Sequence, residues 1–338
     1  MTEYVNIKGQ NILIVSSDPS NPTQGQIWYN TTSSTLKGLV FNATGSWSTS
    51  GNLNTARQYM SGGAGAGTQT AALTFGGDIG GGNTAATESY NGTSWTTLPA
   101  SMNTARLWNM GLGGQTTGLC IGGYTGSADT TATEKWNGSA WTSSGGLNNA
   151  RRVTTGFGSQ TACIAADGAA PRNNYAESFN GTSWTTLPNT NVTAEGRAST
   201  AGSPQTAGII FGGAGVPGDP SITTVESWNG SAWTNLPTSM NVARRYFGGV
   251  GSGPTDAFAY AGGGSPGSTA LNSSESYNGS AWTTAGVLSV ARRTVGNAAA
   301  ATTSAATTWG GDNGTSILSP SSTELFNKGT ITRTITAS

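Results

Sequence analysis

Apolar positions along the chain come in short runs of strand size, such as Ala71–Phe75 and residues 207–211, bounded on both sides by Gly, Ser, Thr or Asn. No run keeps a 3.6-residue period long enough for a substantial helix, so the pattern predicts strands joined by turns. The pattern also repeats. Tyr90-Asn91-Gly92-Thr93-Ser94-Trp95 returns with its aromatic, Asn-Gly and Trp positions kept in the segments ending at Trp141, Trp184, Trp233 and Trp282, and in degenerate form at 41–47, ending at Trp47. Successive tryptophans are 48, 46, 43, 49 and 49 residues apart. A period of that length holds about four strands, the content of one propeller blade.

Other residues recur in phase. A Glu precedes each aromatic-Asn unit (Glu88, Glu134, Glu177, Glu226, Glu275), and Glu324 precedes a last one at Phe326-Asn327. After each Trp comes a polar turn and then Asn-x-Ala-Arg or a variant, giving Arg57, Arg106, Arg151, Arg197, Arg244 and Arg292. Between Arg and Glu a short apolar strand ends in Gly-Gly at 76–77, 122–123, 212–213, 262–263 and 310–311, with Ala165-Ala166 read as its third-repeat counterpart. The Asn-Gly pairs predict two-residue type I′ hairpin turns, because both central residues tolerate positive φ.

Strand, Gly-Gly, loop, then Glu-x-aromatic-Asn-Gly-x-x-Trp resembles the kelch repeat, over about residues 38–327. The resemblance implies an all-β fold: a six-bladed kelch-like β-propeller on residues 38–338, with a small N-terminal β segment on residues 1–37. Residues 38–50 are out of phase with the repeats, so a hairpin there is expected to complete the blade begun by residues 292–327, closing the propeller with strands from both termini.

Charge narrows the function. With 15 basic and 15 acidic side chains, zero net charge and no His, the chain offers neither a basic stripe for nucleic acid or an anionic membrane nor a histidine base or ligand. Residues 1–10 contain Glu3 and no apolar run, so no Sec signal is expected, and no apolar stretch is long enough for membrane insertion. Cys120 and Cys163 form no C-x-x-C pair and are read as buried thiols at one shared strand position of neighbouring repeats. Copper radical oxidases of the kelch type hold their metal partly through histidine, and sialidase-like propellers carry Ser-x-Asp boxes that are missing here. No catalytic residue, metal site or cofactor is therefore expected.

The repeated Glu and Arg are expected to be buried ion pairs, the six Trp inter-blade packing, and the Gly-Gly pairs places where backbone crowds the centre. Ligand contacts are sought in the loops after each Gly-Gly, at 78–87, 124–133, 167–176, 214–224, 264–273 and 312–322. Tyr124 and Asp129 lie in the second of these. Pro171-Arg172-Asn173-Asn174-Tyr175 combines a cation, amides and an aromatic in the third, a set suited to hydroxyl-bearing ligands such as glycans.

The string Gly25-Gln26-Ile27-Trp28-Tyr29-Asn30, with Leu36-Lys37-Gly38 after it, resembles short β-hairpin modules near the N-termini of tailed-phage fibre and other virion proteins. That resemblance implies docking of Ile27, Trp28 and Tyr29 onto a neighbouring virion protein; a capping hairpin is the plain alternative. The alternating tail at 329–336 is expected to pair as a strand with the N-terminal segment or with another subunit. Together these features predict a non-enzymatic structural protein of a bacteriophage virion, on tail fibre or capsid. It would be made in the host cytoplasm and present its propeller to a host-surface glycan or protein. A free lectin-like protein is the alternative, and a glycan hydrolase a more distant one.

Overall fold

The computed structural model describes residues 12–23, 25–41, 44–60, 65–169, 171–216, 219–264, 269–314 and 321–335. Residues 1–11 of the N-terminal β segment, Asn42-Ala43 of the degenerate repeat, Ala170 of the third loop, parts of the fourth, fifth and sixth loops and the last residue of the tail at 329–336 lie outside them. The described residues contain strands and no helix. The chain divides into two compact units, Met1–Gly45 with Lys328–Ser338, and Ser46–Asn327.

In the first unit Leu13–Val15 runs parallel to Ile27–Asn30, which pairs antiparallel with Thr35–Phe41, itself antiparallel to Thr330–Thr334. The C-terminal tail thus pairs with the N-terminal segment of its own chain. Asp18, in the turn before Ile27, gathers the strands: Trp28 Nε1 donates to it at 3.0 Å, Asn30 Nδ2 at 2.7 Å and Lys37 Nζ at 2.8 Å. These bonds, Lys37 first, hold the Asp18 carboxyl down at about 2.

The second unit holds six four-stranded antiparallel sheets among the described residues. Sheet I is Gly65–Thr68, Ala71–Phe75, Thr87–Tyr90 and Trp95–Thr97; sheet II is Met110–Gly114, Thr117–Ile121, Thr133–Trp136 and Trp141–Ser144. Sheet III is Thr155–Gly158, Cys163–Gly168, Asn173–Phe179 and Trp184–Leu187; sheet IV is Ala198–Ser199, Gly208–Phe211, Val225–Trp228 and Trp233–Asn235. Sheet V is Gly248–Gly253, Asp256–Tyr260, Ser274–Tyr277 and Trp282–Thr284. Sheet VI takes Gly296–Asn297, Ala305–Trp309 and Thr323–Asn327 from late in the sequence and Ser46–Ser50 from early in it. The hairpin expected at 38–50 is therefore divided: Ser46–Ser50 joins sheet VI, while Thr35–Phe41 belongs to the first unit.

Within each sheet a buried guanidinium meets a buried carboxylate. Arg57–Glu88, Arg106–Glu134, Arg151–Glu177, Arg197–Glu226, Arg244–Glu275 and Arg292–Glu324 lie 2.5–3.0 Å apart, all but excluded from solvent. The second carboxylate oxygen accepts the backbone N–H of the turn before the Arg, from Asn54, Asn103, Asn148, Asn191, Asn241 and Ser289 at 2.6–2.8 Å. Each pair therefore fixes the turn that enters its sheet.

The repeat tryptophans act within and between sheets. Each faces the aromatic that closes the third strand: Tyr90–Trp95, Trp136–Trp141, Phe179–Trp184, Trp228–Trp233, Tyr277–Trp282 and Phe326–Trp47, with centroids 4.9–5.5 Å apart. Most also pack on the residue that ends the second strand of the preceding sheet, as Trp141 does on Phe75, Trp282 on Phe211, Trp47 on Tyr260 and Trp95 on Trp309. Trp95, Trp141 and Trp184 donate Nε1–H to Thr323, Thr87 and Thr133, which open third strands of the preceding sheets. Ala176 and Val225 hold that position in sheets III and IV, and the indole N–H groups of Trp233 and Trp282 accordingly lack a partner.

A second link went unread in the sequence. Gln69, Gln115, Gln160 and Gln205, each followed by Thr, sit between the first and second strands and donate to two backbone oxygens of the preceding sheet. Gln115, for instance, reaches Ala72 and Tyr90, and Gln69 reaches Ala306 and Phe326. The Gln-Thr dipeptide is visible in the sequence and marks the hairpin.

Three expectations are corrected. The Asn-Gly turns span four residues: Tyr90 pairs with Trp95, Gly92 alone takes positive φ (96°), and Asn91 Oδ1 accepts the N–H groups of Thr93 and Ser94. Asn serves as a side-chain acceptor. Register also moves the third-repeat counterpart of Gly-Gly. Ala166 pairs with Ala176 as Phe75 does with Thr87, so Asp167-Gly168 fills the slot, and in sheet V Ala261-Gly262 does. Asp167 and Ala261 adopt φ of 57° and 62° there. Cys120 and Cys163, both buried and free, consequently stand two positions out of phase: Ala165 is the counterpart of Cys120.

Trp184→Ala is expected to cost about 3–5 kcal/mol. Thr87→Val should cost about 1–3 kcal/mol by stranding the Trp141 N–H, whereas Val225→Thr, which supplies the acceptor Trp282 lacks, should be neutral or stabilising. Chemical denaturation checks all three, and equal losses in the two Thr/Val variants would contradict the role given to the hydroxyl.

Candidate functional site

At the end of each second strand the chain turns and bridges back to the residue following the repeat Arg, as in Gln58↔Asp78, Leu107↔Tyr124, Arg152↔Ala169, Arg245↔Gly263 and Arg293↔Asp312. The next residue is in the left-handed region: Tyr59, Trp108, Val153, Tyr246 and Thr294, and in the fourth repeat, where Glu195 pairs with Ala214, Gly196 just ahead of Arg197, with φ from 51° to 62°. Aromatic and β-branched residues avoid this conformation. Backbone bonds between neighbouring repeats hold it: Trp108 N–H to Tyr59 O at 2.7 Å, Val153 to Trp108 at 3.0 Å, Tyr246 to Gly196 at 2.8 Å, Thr294 to Tyr246 at 2.7 Å and Met60 to Thr294 at 3.1 Å. The backbone is uniform while the residue type varies, with Tyr twice and Trp, Val, Gly and Thr once each.

Four of these residues, Tyr59, Trp108, Tyr246 and Thr294, line a cavity of about 170 Å³ together with Arg245 and Arg293. Tyr59 and Trp108 pack with centroids 5.1 Å apart. Next to them the Arg152 guanidinium lies 4.8 Å from the Trp108 ring and 4.7 Å from that of Tyr124, with Asp129 3.7 Å from its Nε. Partial burial raises the Asp129 pKa against the pull of Arg152. On the far side Tyr246 OH donates to Glu195 at 2.7 Å, and Arg172 bridges Glu195 (2.9 Å) and Asp219 (2.7 Å). Asp219 also pairs with Arg245 at 2.6 Å. Partial burial works to raise the Asp219 pKa, but the two arginines hold it lower; burial and then Glu195 raise the Tyr246 phenol, which stays a donor. Arg293 Nε lies 2.7 Å from Asp312, which also accepts from Thr294 Oγ1.

Tyr124, Asp129 and Arg172, picked from the sequence, thus belong to this basin or its rim. The other candidates do not act with them. Asn173 and Tyr175 lie in a strand, Asn173–Phe179, that leaves only a short loop after Gly168. Asn173 Nδ2 donates to Pro171 O and Asn174 Nδ2 to Thr190 O, so both amides stabilise local backbone, and Tyr175 is exposed. In the first unit Trp28 is fully buried, while Ile27 is partly covered and Tyr29 exposed. Sequence reading passed over Tyr59, Tyr246 and the three arginines 152, 245 and 293. Their signal was the Arg-Arg doublets at 151–152, 244–245 and 292–293, and Trp108 standing outside the Trp repeat.

A larger cavity, about 540 Å³, opens at the opposite ends of these strands near Gly113, Gly158, Gly202 and Ser203. Its walls are backbone and small side chains with no aromatic or charged group, so it offers little chemistry for selecting a ligand.

Beneath the basin the fourth repeat departs from the others. Its Arg stands three residues later than the Asn-x-x-Arg spacing gives, with Ala194 in the usual slot, yet Arg197 reaches Glu226 at 2.6 Å. It also lies 3.3 Å from Asp167, the residue standing in a glycine slot, which further accepts from Thr190 Oγ1 at 2.5 Å. One buried guanidinium balances one of two carboxylates, and burial pushes Asp167 up to about 7. No known family model matches the chain, and no curated protein matches it.

A raised folded-state pKa means that this group's contribution to stability is full below its unfolded pKa of about 4, declines as pH rises and levels off above about 7. Asp167→Asn should therefore melt higher relative to the parent at pH 8 than at pH 5. Calorimetry at both values checks it, and a difference in melting temperature that does not change, or that reverses, would contradict the assignment.

Proposed function

We propose that the six sheets are blades of a closed six-bladed kelch-type propeller. We further propose that the chain is a non-enzymatic component of a phage virion, presenting the basin face to a host-surface glycan or protein or to another virion protein. Closure is supported by contacts between the first and last sheets: Trp95 on Trp309 and Thr323, Gln69 on Ala306 and Phe326, and Gly311 N–H on Arg57 O at 2.9 Å. The observation that carries a binding role is the constant backbone of the six left-handed positions set against their changing side chains. A scaffold that needed those side chains for itself would repeat them, as it repeats Arg, Glu and Trp.

Attachment to the particle is assigned to the first unit. Its edge strand Leu13–Val15 pairs on one side only among the described residues, and Ile12, Leu13, Ile14 and Tyr29 are exposed on it and its neighbour. Unpaired apolar edges invite strand addition by a partner. Trp28 would hold that module together from inside. A free lectin-like protein is the second reading, favoured by the aromatic and arginine lining of the basin.

Mass spectrometry of purified phage particles encoding this chain tests the reading. Recovery in fixed ratio to tail or capsid proteins is expected, and Ile14→Asp should lower incorporation several-fold without changing the melting temperature of the Ser46–Asn327 unit. Absence from particles would overturn the virion assignment and leave the lectin-like reading.

A further inference from the structure

We infer that the basin of Tyr59, Trp108, Tyr246, Arg245, Arg293 and Thr294 is a subsite for one neutral pyranose residue of a glycan. The inference rests on the binding role proposed above and names its ligand. Three aromatic rings converge on a cavity of about 170 Å³, room for a single small ring. An aromatic face suits the C–H face of a pyranose, and four of the six lining residues have backbones fixed at φ of 51–55° by bonds between repeats. The walls are thus set before a ligand arrives, which lowers the entropy cost of binding.

Charge selects against an acidic ligand. Arg245 is matched by Asp219, Arg293 by Asp312, Arg152 by Asp129 and Arg172 by Glu195. A carboxylate or phosphate entering the basin would meet arginines already neutralised, with Asp219 half exposed nearby. Hydroxyl groups, which donate and accept, match guanidinium and carboxylate edges lying side by side. A purely apolar ligand would have to cover two ion pairs and the Thr294 hydroxyl.

The test is titration calorimetry and saturation-transfer NMR on the full chain. The probes are methyl glycosides of glucose, galactose, mannose and N-acetylglucosamine, with methyl glucuronide and methyl galacturonide as acidic comparators. Saturable binding of at least one neutral glycoside is expected, weakened about tenfold or more by Trp108→Ala and largely kept by Trp108→Phe. Circular dichroism melting establishes that Trp108→Ala is folded; if it is not, Tyr59→Ser is read in its place against Tyr59→Phe. No neutral glycoside bound, equal or tighter binding of the uronides, or binding indifferent to these substitutions would each overturn the inference. Particle incorporation is read separately: a chain found in virions that binds no glycoside sinks this subsite alone, and one that binds but is absent from virions sinks the particle assignment alone.

Discussion

The buried Arg–Glu pair is the interaction on which the Ser46–Asn327 unit depends. A guanidinium and a carboxylate withdrawn from water cost several kcal/mol each unless their mutual attraction and further hydrogen bonds offset it. Here the carboxylate accepts from the guanidinium with one oxygen and from a turn N–H with the other, and most guanidinia also donate to backbone oxygens, as Arg57 does to Gly76 and Ala86, while the Nε–H of each of the six arginines is buried without a partner. The pair therefore joins three segments distant in sequence: the entering turn, the end of the second strand and the third strand. With strands of only two to seven residues, hydrophobic contact alone would leave register weakly specified, and the ion pair pins it in each sheet.

Glycine makes this arrangement feasible. First strands such as Gly248–Gly253 pack so closely that a Cβ on Gly249 would stand 2.6 Å from Ala198 Cβ, and one on Gly65 2.5 Å from the Trp309 ring. The glycine slot after the second strand lies under the Arg of the next repeat: a Cβ on Gly76 would stand 2.7 Å from Arg106 O. Sheet III breaks the rule with Asp167, and the following repeat answers by moving its Arg from the Ala194 slot to 197, where it serves two acids. The two departures make sense only together. The displaced Arg197 still pairs with Glu226 while meeting the added acid, so what is kept is a guanidinium at the buried carboxylate, more than a fixed position in the sequence.

Above that layer the requirements relax. The left-handed positions need their backbone bonds and nothing specific from their side chains, so Tyr, Trp, Val, Gly, Tyr and Thr all occur. Side-chain variation at positions held by backbone bonds alone leaves the repeated scaffold unchanged. The ion pairs around the basin fix the orientation of its rings, through Glu195 for Tyr246 and through Arg152 for Trp108 and Tyr124.

The sequence by itself determined the all-β class, the repeat and its period, and the roles of the recurring Arg, Glu and Trp. Each of those follows from spacing in one dimension and from the cost of burying charge and aromatic area. Only the tertiary structure decided the register within each repeat. Ala165-Ala166 looked like the missing Gly-Gly because the chain offers no local mark of which residue faces Ala176; strand pairing supplies it. The basin was out of reach for the same reason. Tyr59, Trp108, Tyr246 and Arg293 are separated by dozens of residues and lie in different repeats, and what brings them together is backbone hydrogen bonding between repeats, which leaves no side-chain signature. Arg172 and Asn173, adjacent in sequence, instead part company: one joins the network of Glu195 and Asp219, while the other starts a strand and turns its amide to its own backbone.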